Sequence, residues 1–293
     1  MKKLLAILLS AMLILALASC ATSSPSTSPP AATTTASIPP ASIPPANTPP
    51  ASPVTTPSSP PAAASVELHV FAAASLTNIM TDVANLYNQD QPNVKLTFTF
   101  DSSGTLQTQI EQGAVCDVFL SAAQKQMDAL AGENLIDAAS RVNLWGNQLV
   151  LVVPSGNPAG ITSFADAATK AKTIALGNSD VPAGQYAQQV FTNMGVWDQV
   201  QAKATLGTDV KEVTSWVSQG AADCGVVYAT DATTAGLQIV ASPPDGTLTT
   251  PVTYPGAVTA TSANAAAAQA FLTFLRSDAC SQLFTAAGFT TLP

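Results

Sequence analysis

The spacing of polar and apolar residues changes repeatedly along the chain from residue 66 onward. VELHVFAA at 66–73 alternates and then becomes wholly apolar, which is typical of an inner β-strand. Apolar side chains then recur at the three- and four-residue intervals of a helix that buries one face: Leu76, Ile79, Val83 and Leu86. VKLTFTF at 94–100 has the alternation and composition of a second strand. Strand, helix and strand in succession predict a parallel α/β sheet with helices on its faces.

The same rhythm continues through the rest of the chain. Further strands are predicted at DVFLS (117–121), QLVLVVP (148–154), TIALG (173–177) and CGVVY (224–228), and helices at 183–195 and 209–220. The strongly apolar strands at Leu149 and Cys224 lie where a chain could cross between two lobes. TYPGAVT at 253–259 and an alanine-rich helix from about Asn264 would then complete the first lobe.

The first twenty residues indicate where the protein works. Lys2 and Lys3 precede an apolar run at 4–18, which is too short for a membrane span and is typical of a secretory signal. LASC at 17–20 resembles the lipobox of bacterial lipoproteins. This resemblance implies a signal peptide at 1–19, a diacylglycerol on the sulfur of Cys20, and a location at the extracytoplasmic face of the cell membrane. The alternative is an ordinary signal in which the cysteine is incidental.

Residues 21–65 form a linker rich in Pro, Ser, Thr and Ala. The segment has no charged residue, and SIPPA-SIPPA-NTPPA is a short tandem repeat. Proline at this density favours extended polyproline II, and large apolar residues are too few for a core. We therefore predict a semi-rigid stalk, and the working part of the protein begins at residue 66.

Charge and cysteine content narrow the functional classes. The chain has 18 acidic and 10 basic residues, and the basic ones are scattered, so it does not bind nucleic acid through phosphates. Apart from Cys20, three cysteines remain, Cys116, Cys224 and Cys280, without the spacing of a metal site. The sequence leaves open whether two of these cysteines form a disulfide or whether they are buried free thiols.

Four junctions between a predicted strand and a predicted helix share a chemical character. They place Ser75, Ser103, Ala183 and Val210 at helix starts, where backbone N–H groups have no carbonyl partner within the helix and suit an anion. Taken alone, Ser75 suggests a helix cap, Ala183 and Val210 suggest packing, and Tyr228 suggests a core aromatic. The recurrence of the pattern favours a site for a negative ligand.

Several motifs together resemble the periplasmic molybdate-binding proteins of ABC importers. The motifs are FAAASLT (71–77), SSGTLQTQIEQGAVCDVFLSA (102–122), VPAGQYA (181–187) and GVVYATDA (225–232). The resemblance implies an α/β, two-lobed class II periplasmic-binding-protein fold with mixed, mostly parallel sheets and a central ligand cleft. One lobe would comprise 66–147 and 232–293, the other 148–231. The hinge would lie near 145–149 and 229–232.

The same resemblance implies the ligand and its contacts. Ser75 and Ser103 would give hydroxyl and backbone donors, Ala183 and Val210 backbone N–H groups, and Tyr228 its phenolic hydroxyl. Molybdate, or tungstate, would be held in the cleft, with molybdenum bound only as the oxyanion and no cofactor. The implied partner is the membrane permease of an ABC transporter, and the receptor would be a monomer. Gly104, where some relatives carry a third serine, departs from the pattern.

Other classes remain as alternatives. A receptor for sulfate or phosphate would use the same donors, and phosphate would also need an acceptor such as Asp101 or Asp209. A serine hydrolase would need a base, but His69 is the only histidine and lies in mid-strand. A receptor for amino acids or peptides would need an arginine, which the candidate loops lack. A purely structural surface lipoprotein would leave the repeated helix starts without a purpose.

Overall fold

The computed structural model describes residues 65–292, which fold into two lobes, each a β-sheet flanked by helices. The signal peptide, Cys20 and the proline-rich linker lie outside the described residues. In chain order, the strands are β1 Val66–Ala73, β2 Val94–Asp101, β3 Val118–Leu120, β4 Val142–Gly146, β5 Leu149–Val153, β6 Ile174–Gly177, β7 Ala204–Gly207, β8 Cys224–Tyr228, β9 Gln238–Ala241, β10 Thr253–Val258 and β11 Thr290–Thr291.

Helices fill the connections between these strands. In chain order they are α1 Thr77–Asp90, α2 Ser103–Glu111, α3 Gln124–Gly132, α4 Phe164–Lys170, α5 Pro182–Asn193, α6 Trp197–Gln201, α7 Val210–Ser218, α8 Ala229–Thr234, α9 Ala265–Phe274 and α10 Asp278–Ala286. Short 3-10 turns lie at Ala74–Leu76 and Ala138–Ser140. Among the described residues, no helix is long and apolar enough to cross a membrane.

The sheet of the first lobe has the order β11-β4-β10-β3-β1-β2. Strand β1 runs parallel to β2 on one side and to β3 on the other, with Ala72 opposite both Phe100 and Leu120. The carboxyl ends of these three strands therefore meet at one edge of the sheet. The 3-10 turn at Ala74–Leu76 follows β1 at this edge, and α2 begins there two residues after β2 ends.

The sheet of the second lobe has the order β7-β6-β8-β5-β9. Strand β6 runs parallel to β7 and β8, so the ends of all three again share an edge, where α5, α7 and α8 begin. Strand β5 is antiparallel to β8, with Leu149 opposite Tyr228. This register places Tyr228 beside the point where the chain enters the second lobe.

One of the two lobe boundaries in the structure differs from the one expected from the sequence. The first crossing lies between Gly146 of β4 and Leu149 of β5, as the sequence suggested. The second does not lie at 231–232, because α8 continues in the second lobe and β9 pairs with β5 through Ile239 and Ala241. The chain returns to the first sheet only between Ala241 and Thr253, so the second crossing lies there and not at the expected boundary of 231–232.

Both sheets are mixed, and the described strands form four parallel and five antiparallel pairs. Strands β2, β1 and β3 are parallel, whereas β10 and β11 run antiparallel to their neighbours. The second sheet has parallel pairs on one side of β8 and antiparallel pairs on the other. The expectation of mostly parallel sheets was too strong, because β10 re-enters the first sheet from the opposite lobe.

Aromatic packing attaches the carboxyl-terminal segment to the first lobe. Trp145 at the end of β4 stacks on Phe284 of α10, with ring centroids 3.6 Å apart. Phe289 meets Phe284 and Tyr254 edge-on. All four rings are buried, and two of them, those of Trp145 and Tyr254, lie opposite each other on the paired strands β4 and β10.

The three cysteines of the described region are free and buried. Burial raises the pKa of each thiol, Cys116, Cys224 and Cys280, to about 12. These side chains therefore stay protonated at neutral pH and act as small apolar core residues. The open choice between a disulfide and free thiols is settled in favour of free thiols.

Candidate functional site

A small, partly open cavity lies where the strand ends of the two sheets face each other. Its volume is about 10 Å³, close to what one water molecule needs. The residues that line it are Ala73, Ala74, Ser75, Ser102, Ser103, Ala122, Val181, Pro182, Ala183, Val210 and Tyr228. All five residues that the sequence put forward as ligand contacts are among them, and they come from both lobes. Their role as ligands stays a prediction.

Ser103 starts α2 and offers two donors to the cavity. As the first residue of the helix, it has an N–H group without an intrahelical partner. Its Oγ accepts a hydrogen bond of 2.9 Å from the backbone N–H of Ala122. An N–H can only donate, so the hydroxyl proton of Ser103 remains available for a further acceptor. Ser102, by contrast, caps the helix, because its Oγ accepts from the N–H of Thr105 at 3.1 Å.

Ser75 lies in the 3-10 turn after β1 and does not cap a helix. The residue before this turn is Ala73, and α1 begins later, after Leu76, without a side-chain cap. The Ser75 hydroxyl is buried and lies 2.9 Å from the hydroxyl of Tyr254 on β10. The cap interpretation of Ser75 is therefore wrong.

Ala183 and Val210 have apolar side chains, so the polar group that each offers is its backbone N–H. Helix α5 begins with Pro182, so Ala183 supplies the first N–H at that end. The approach is close: a Cβ added to Gly184 would lie 2.1 Å from the carbonyl oxygen of Gly177, so only glycine lets α5 start so near β6. At α7 the Asp209 carboxylate accepts from the N–H groups of Lys211 and Glu212, which leaves the N–H of Val210 free.

Tyr228 brings a buried phenolic hydroxyl to the cavity. Its side chain is 1% exposed, and within the described part of the chain its hydroxyl has no hydrogen-bond partner. Burial raises the pKa of this phenol well above its ordinary value, so it stays protonated. A buried, unsatisfied hydroxyl costs about 1–3 kcal/mol. An acceptor in the cavity would remove that cost.

No charged side chain of the described residues lines the cavity. Asp101 accepts from the N–H of Ser102 at 2.7 Å, and Asp209 caps α7, so both carboxylates are engaged at helix starts. Lys211, which follows Val210 in the chain, does not line the cavity and pairs with Asp231 at 2.8 Å. The site therefore offers neutral donors.

The two lobes touch directly beside the site. The N–H of Gly104 donates a hydrogen bond of 2.9 Å to the carbonyl oxygen of Asp180. A Cβ on Gly104 would lie 2.5 Å from that oxygen, which is closer than real contacts allow. The departure from the family pattern at Gly104 thus permits a close backbone contact between the lobes. Sequence reasoning had treated it only as the loss of a hydroxyl.

Asp231 is a buried carboxyl close to the site. It is 2% exposed, and although Lys211 forms an ion pair with it, neither carboxylate oxygen accepts a well-aligned hydrogen bond. Desolvation raises its pKa to about 6, against the lowering effect of the Lys211 charge. The motif GVVYATDA contains this residue, but nothing in the sequence marked it as buried.

Sequence reasoning also missed Tyr254 and Asn147. Both lie at the crossing between the lobes, and Asn147 Nδ2 donates to the Tyr254 hydroxyl at 3.3 Å. TYPGAVT was interpreted only as a strand, and in the structure all six residues of β10, including Tyr254, are buried. The contact of Tyr254 with Ser75 joins positions 179 residues apart, which no local signal could reveal.

Two lobes closing over a cavity of hydrogen-bond donors define a solute-binding receptor. The chain belongs to the bacterial extracellular solute-binding proteins, whose sequence model matches residues 68–290. Members of this family bind solutes and are not enzymes. Among the described residues, none of the three serine hydroxyls that line the cavity has a basic side chain as partner. This excludes the serine-hydrolase alternative.

Comparison with individual proteins agrees with this assignment. The chain is 36% identical over 232 residues to the molybdate-binding protein ModA of Escherichia coli, covering 76% of this chain and 89% of the relative. It is 35% identical to the putative ABC transporter substrate-binding lipoprotein YvgL of Bacillus subtilis, covering 80% and 90%. A solved periplasmic molybdate-binding protein of Azotobacter vinelandii matches with a TM-score of 0.67 and 25% identity, covering 77% and 99%. The predicted resemblance and the predicted fold class are confirmed.

The raised pKa of Asp231 predicts a pH-dependent cost in stability. In the unfolded chain the carboxyl ionises near 3.8, whereas in the folded protein it ionises near 6. Between these values the unfolded state releases its proton first. The contribution of Asp231 to the free energy of unfolding is therefore greatest below pH 3.8 and is lost as the pH rises through 6. About two pKa units correspond to roughly 3 kcal/mol.

The test compares wild type with Asp231→Asn by denaturant unfolding from pH 4 to pH 7. The variant should gain stability relative to wild type as the pH rises, and the gain should level off above the folded pKa of about 6. Asp128→Asn is the control, because Asp128 forms an exposed ion pair with Arg141 that is worth little. A pH-independent difference between Asp231→Asn and wild type would contradict the burial argument.

Proposed function

We propose that the protein is a lipid-anchored receptor that captures molybdate, and also tungstate, in the cavity between its lobes and delivers it to an ABC importer. The proposed ligand contacts are the hydroxyls of Ser75, Ser103 and Tyr228 and the N–H groups of Ser75, Ser103, Ala183 and Val210. The names of the relatives support this ligand, since proteins with 36% and 25% identity are molybdate-binding proteins.

The unpartnered hydroxyl of Tyr228 is the observation that carries the proposal. It is buried and protonated, and it lines the same cavity as the N–H groups at the starts of α2, α5 and α7. Each of these groups is a donor without an acceptor. A fully deprotonated tetrahedral dianion is an acceptor at every oxygen and satisfies the set.

The lack of an acceptor favours molybdate over phosphate. Phosphate keeps a proton at neutral pH and would need an acceptor for it, but Asp101 and Asp209 are already engaged outside the cavity. Charge-assisted hydrogen bonds contribute roughly 1.5–3 kcal/mol each, so about seven supply ~10–20 kcal/mol before desolvation and closure are subtracted. A remainder near −8 kcal/mol corresponds to micromolar affinity.

Binding is coupled to closure because the donors come from both lobes. Ser75 and Ser103 belong to the first lobe, whereas Ala183, Val210 and Tyr228 belong to the second. An open form would offer the ligand only part of the set. The ligand therefore stabilises the closed form by its extra contacts there, which is the differential affinity that a population shift requires.

The proposed anchor and delivery follow from the amino-terminal sequence and from the relatives. Cys20 in LASC would carry the lipid, and residues 21–65 would hold the receptor away from the membrane. The relative from Bacillus subtilis is described as a lipoprotein of an ABC transporter, which supports both steps. The closed, monomeric receptor would dock on the permease and release its ligand as the lobes open.

Calorimetric titration of the purified full-length protein in detergent tests the ligand directly. We expect micromolar or tighter binding of molybdate and tungstate, because both are acceptor-only dianions, and no binding of phosphate, which keeps a proton at neutral pH. Sulfate is a smaller acceptor-only dianion, so its titration shows whether the site also selects by size. Heat from sulfate or phosphate alone would assign the receptor to that oxyanion instead. If none of the four oxyanions gives binding heat, the oxyanion proposal is overturned and only the family assignment remains.

Tyr228→Phe should affect binding and stability in opposite directions. Losing one charge-assisted bond should weaken molybdate binding roughly tenfold to a hundredfold. The unfolding free energy of the ligand-free protein should stay equal or rise, because an unsatisfied hydroxyl has been removed. Both quantities are measurable by titration and denaturant unfolding.

The matched control for this variant is Tyr87→Phe. Tyr87 is also buried but packs between Phe271 and Phe274, away from the cavity. Its removal should leave the affinity for molybdate unchanged. Wild-type affinity in Tyr228→Phe would remove this hydroxyl from the proposed site.

Gly104→Ala should hinder closure without touching a proposed ligand group. The new Cβ would meet the backbone of Asp180, and such overpacking costs about 1–3 kcal/mol in the closed form only. Molybdate affinity should fall roughly fivefold to a hundredfold. Small-angle scattering should show less compaction on ligand addition than in wild type.

Gly132→Ala serves as the control for Gly104→Ala. It also adds one methyl group at a helical glycine, but nothing lies within 4 Å of the new Cβ. This variant should bind and close like wild type. Normal affinity and compaction in Gly104→Ala would mean that the Asp180 loop yields and that the contact does not govern closure.

A further inference from the structure

A chain of hydrogen bonds leads from the crossing between the lobes to Ser75. The N–H of Gln148 donates to Asn147 Oδ1 at 2.8 Å. The Nδ2 of Asn147 donates to Thr230 Oγ1 at 2.9 Å and to the hydroxyl of Tyr254 at 3.3 Å. The Tyr254 hydroxyl lies 2.9 Å from Ser75 Oγ. Ser75 is the only one of these residues that lines the cavity.

The first links of this chain have a fixed direction. A backbone N–H only donates, so the amide atom of Asn147 that faces Gln148 is the oxygen. The other amide atom is then the NH₂ group, which only donates. The oxygen of Tyr254 therefore accepts from Asn147, and the one proton of Tyr254 needs an acceptor elsewhere.

Only one arrangement of the last link leaves every group satisfied. If Ser75 donated to Tyr254, the buried proton of Tyr254 would have no acceptor among the described residues, which is unfavourable. If Tyr254 donates to Ser75, its proton is used, and the proton of Ser75 is left for the cavity. The second arrangement is completed by an acceptor-only ligand.

We propose that Tyr254 is a positioning residue that fixes the Ser75 hydroxyl as a hydrogen-bond donor to the bound oxyanion. The inference builds on the proposed function, because the preferred direction requires an acceptor in the cavity. The oxygen of Ser103 also accepts a hydrogen bond from within the protein, but there the donor is the backbone N–H of Ala122. In both serines the hydroxyl oxygen accepts a hydrogen bond from the protein, so the hydroxyl proton can be donated to the ligand.

The test is a double-mutant cycle on molybdate affinity with Tyr254→Phe and Ser75→Ala. Tyr254→Phe removes one oxygen from a fully buried ring and should weaken binding about tenfold, because Ser75 is no longer held as a donor. In the Ser75→Ala background the same change should have almost no effect. A merely structural role would instead give the same loss in both backgrounds.

A second variant keeps the test valid if Tyr254→Phe folds poorly. Asn147→Ala removes the donor that sets the direction at Tyr254, so it should also weaken binding, and its effect should also vanish in the Ser75→Ala background. Tyr87→Phe, in the core of the first lobe, should be silent in either background. Thermal unfolding of each ligand-free variant shows whether it is folded.

The outcomes separate this inference from the proposed function. If wild-type protein binds none of the oxyanions, the proposed function fails, and with it the reason for this hydrogen-bond direction. If wild type binds molybdate and Tyr254→Phe binds equally well, the receptor stands and the positioning role is overturned. An equal loss with and without Ser75 would overturn it in the same way.

Discussion

Buried hydrogen-bond donors without acceptors are the constraint on which the closed form of this protein depends. The hydroxyl of Tyr228 and the N–H groups at the starts of α2, α5 and α7 would be hydrated in an open cleft. In the closed form the buried hydroxyl of Tyr228 has no acceptor among the described residues, which costs about 1–3 kcal/mol. A ligand that accepts from all of these donors turns this penalty into a set of bonds. Closure and binding then become one equilibrium.

The two sheets produce this arrangement through the direction of their strands. Parallel β1 and β2 end at one edge of the first sheet, and parallel β6, β7 and β8 end at one edge of the second. Helix starts follow these ends, so facing edges bring several positive dipole ends to one point. The proposed contacts at Ala183 and Val210 therefore need no polar side chain, because each would come from a backbone N–H group.

Local sequence signals were sufficient to predict the helix starts that line the site. Pro182 and Asp209 mark the starts of α5 and α7, and Ser103 stands at the start of α2, as its motif indicated. The resemblance to a known family added Tyr228, which by itself looks like a core residue. The role of each residue as a ligand still depends on binding measurements.

Long-range contacts account for what the sequence could not reveal. Tyr254 contacts Ser75 across the first lobe, and Gly104 contacts Asp180 across the cleft. The residues of each pair are far apart in the chain, so the local pattern of polar and apolar residues does not reveal either contact. The second crossing was misplaced for a related reason. Strand β9 is a short edge strand with partly exposed residues, and its assignment depends on pairing with β5 rather than on its own pattern.

A cage of neutral donors also accounts for an anion site in an acidic protein. Lys211 follows Val210 directly, yet its charge is opposed by buried Asp231, so the pair adds little net field at the cavity. Attraction then comes from dipoles within a few ångströms, whereas distant surface carboxylates are screened beyond about 10 Å. Dipoles from two lobes lose their alignment once the lobes separate, while a fixed cation would keep its hold on the ligand. Neutral donors therefore combine firm capture in the closed form with release in the open form, which is what delivery to a transporter requires.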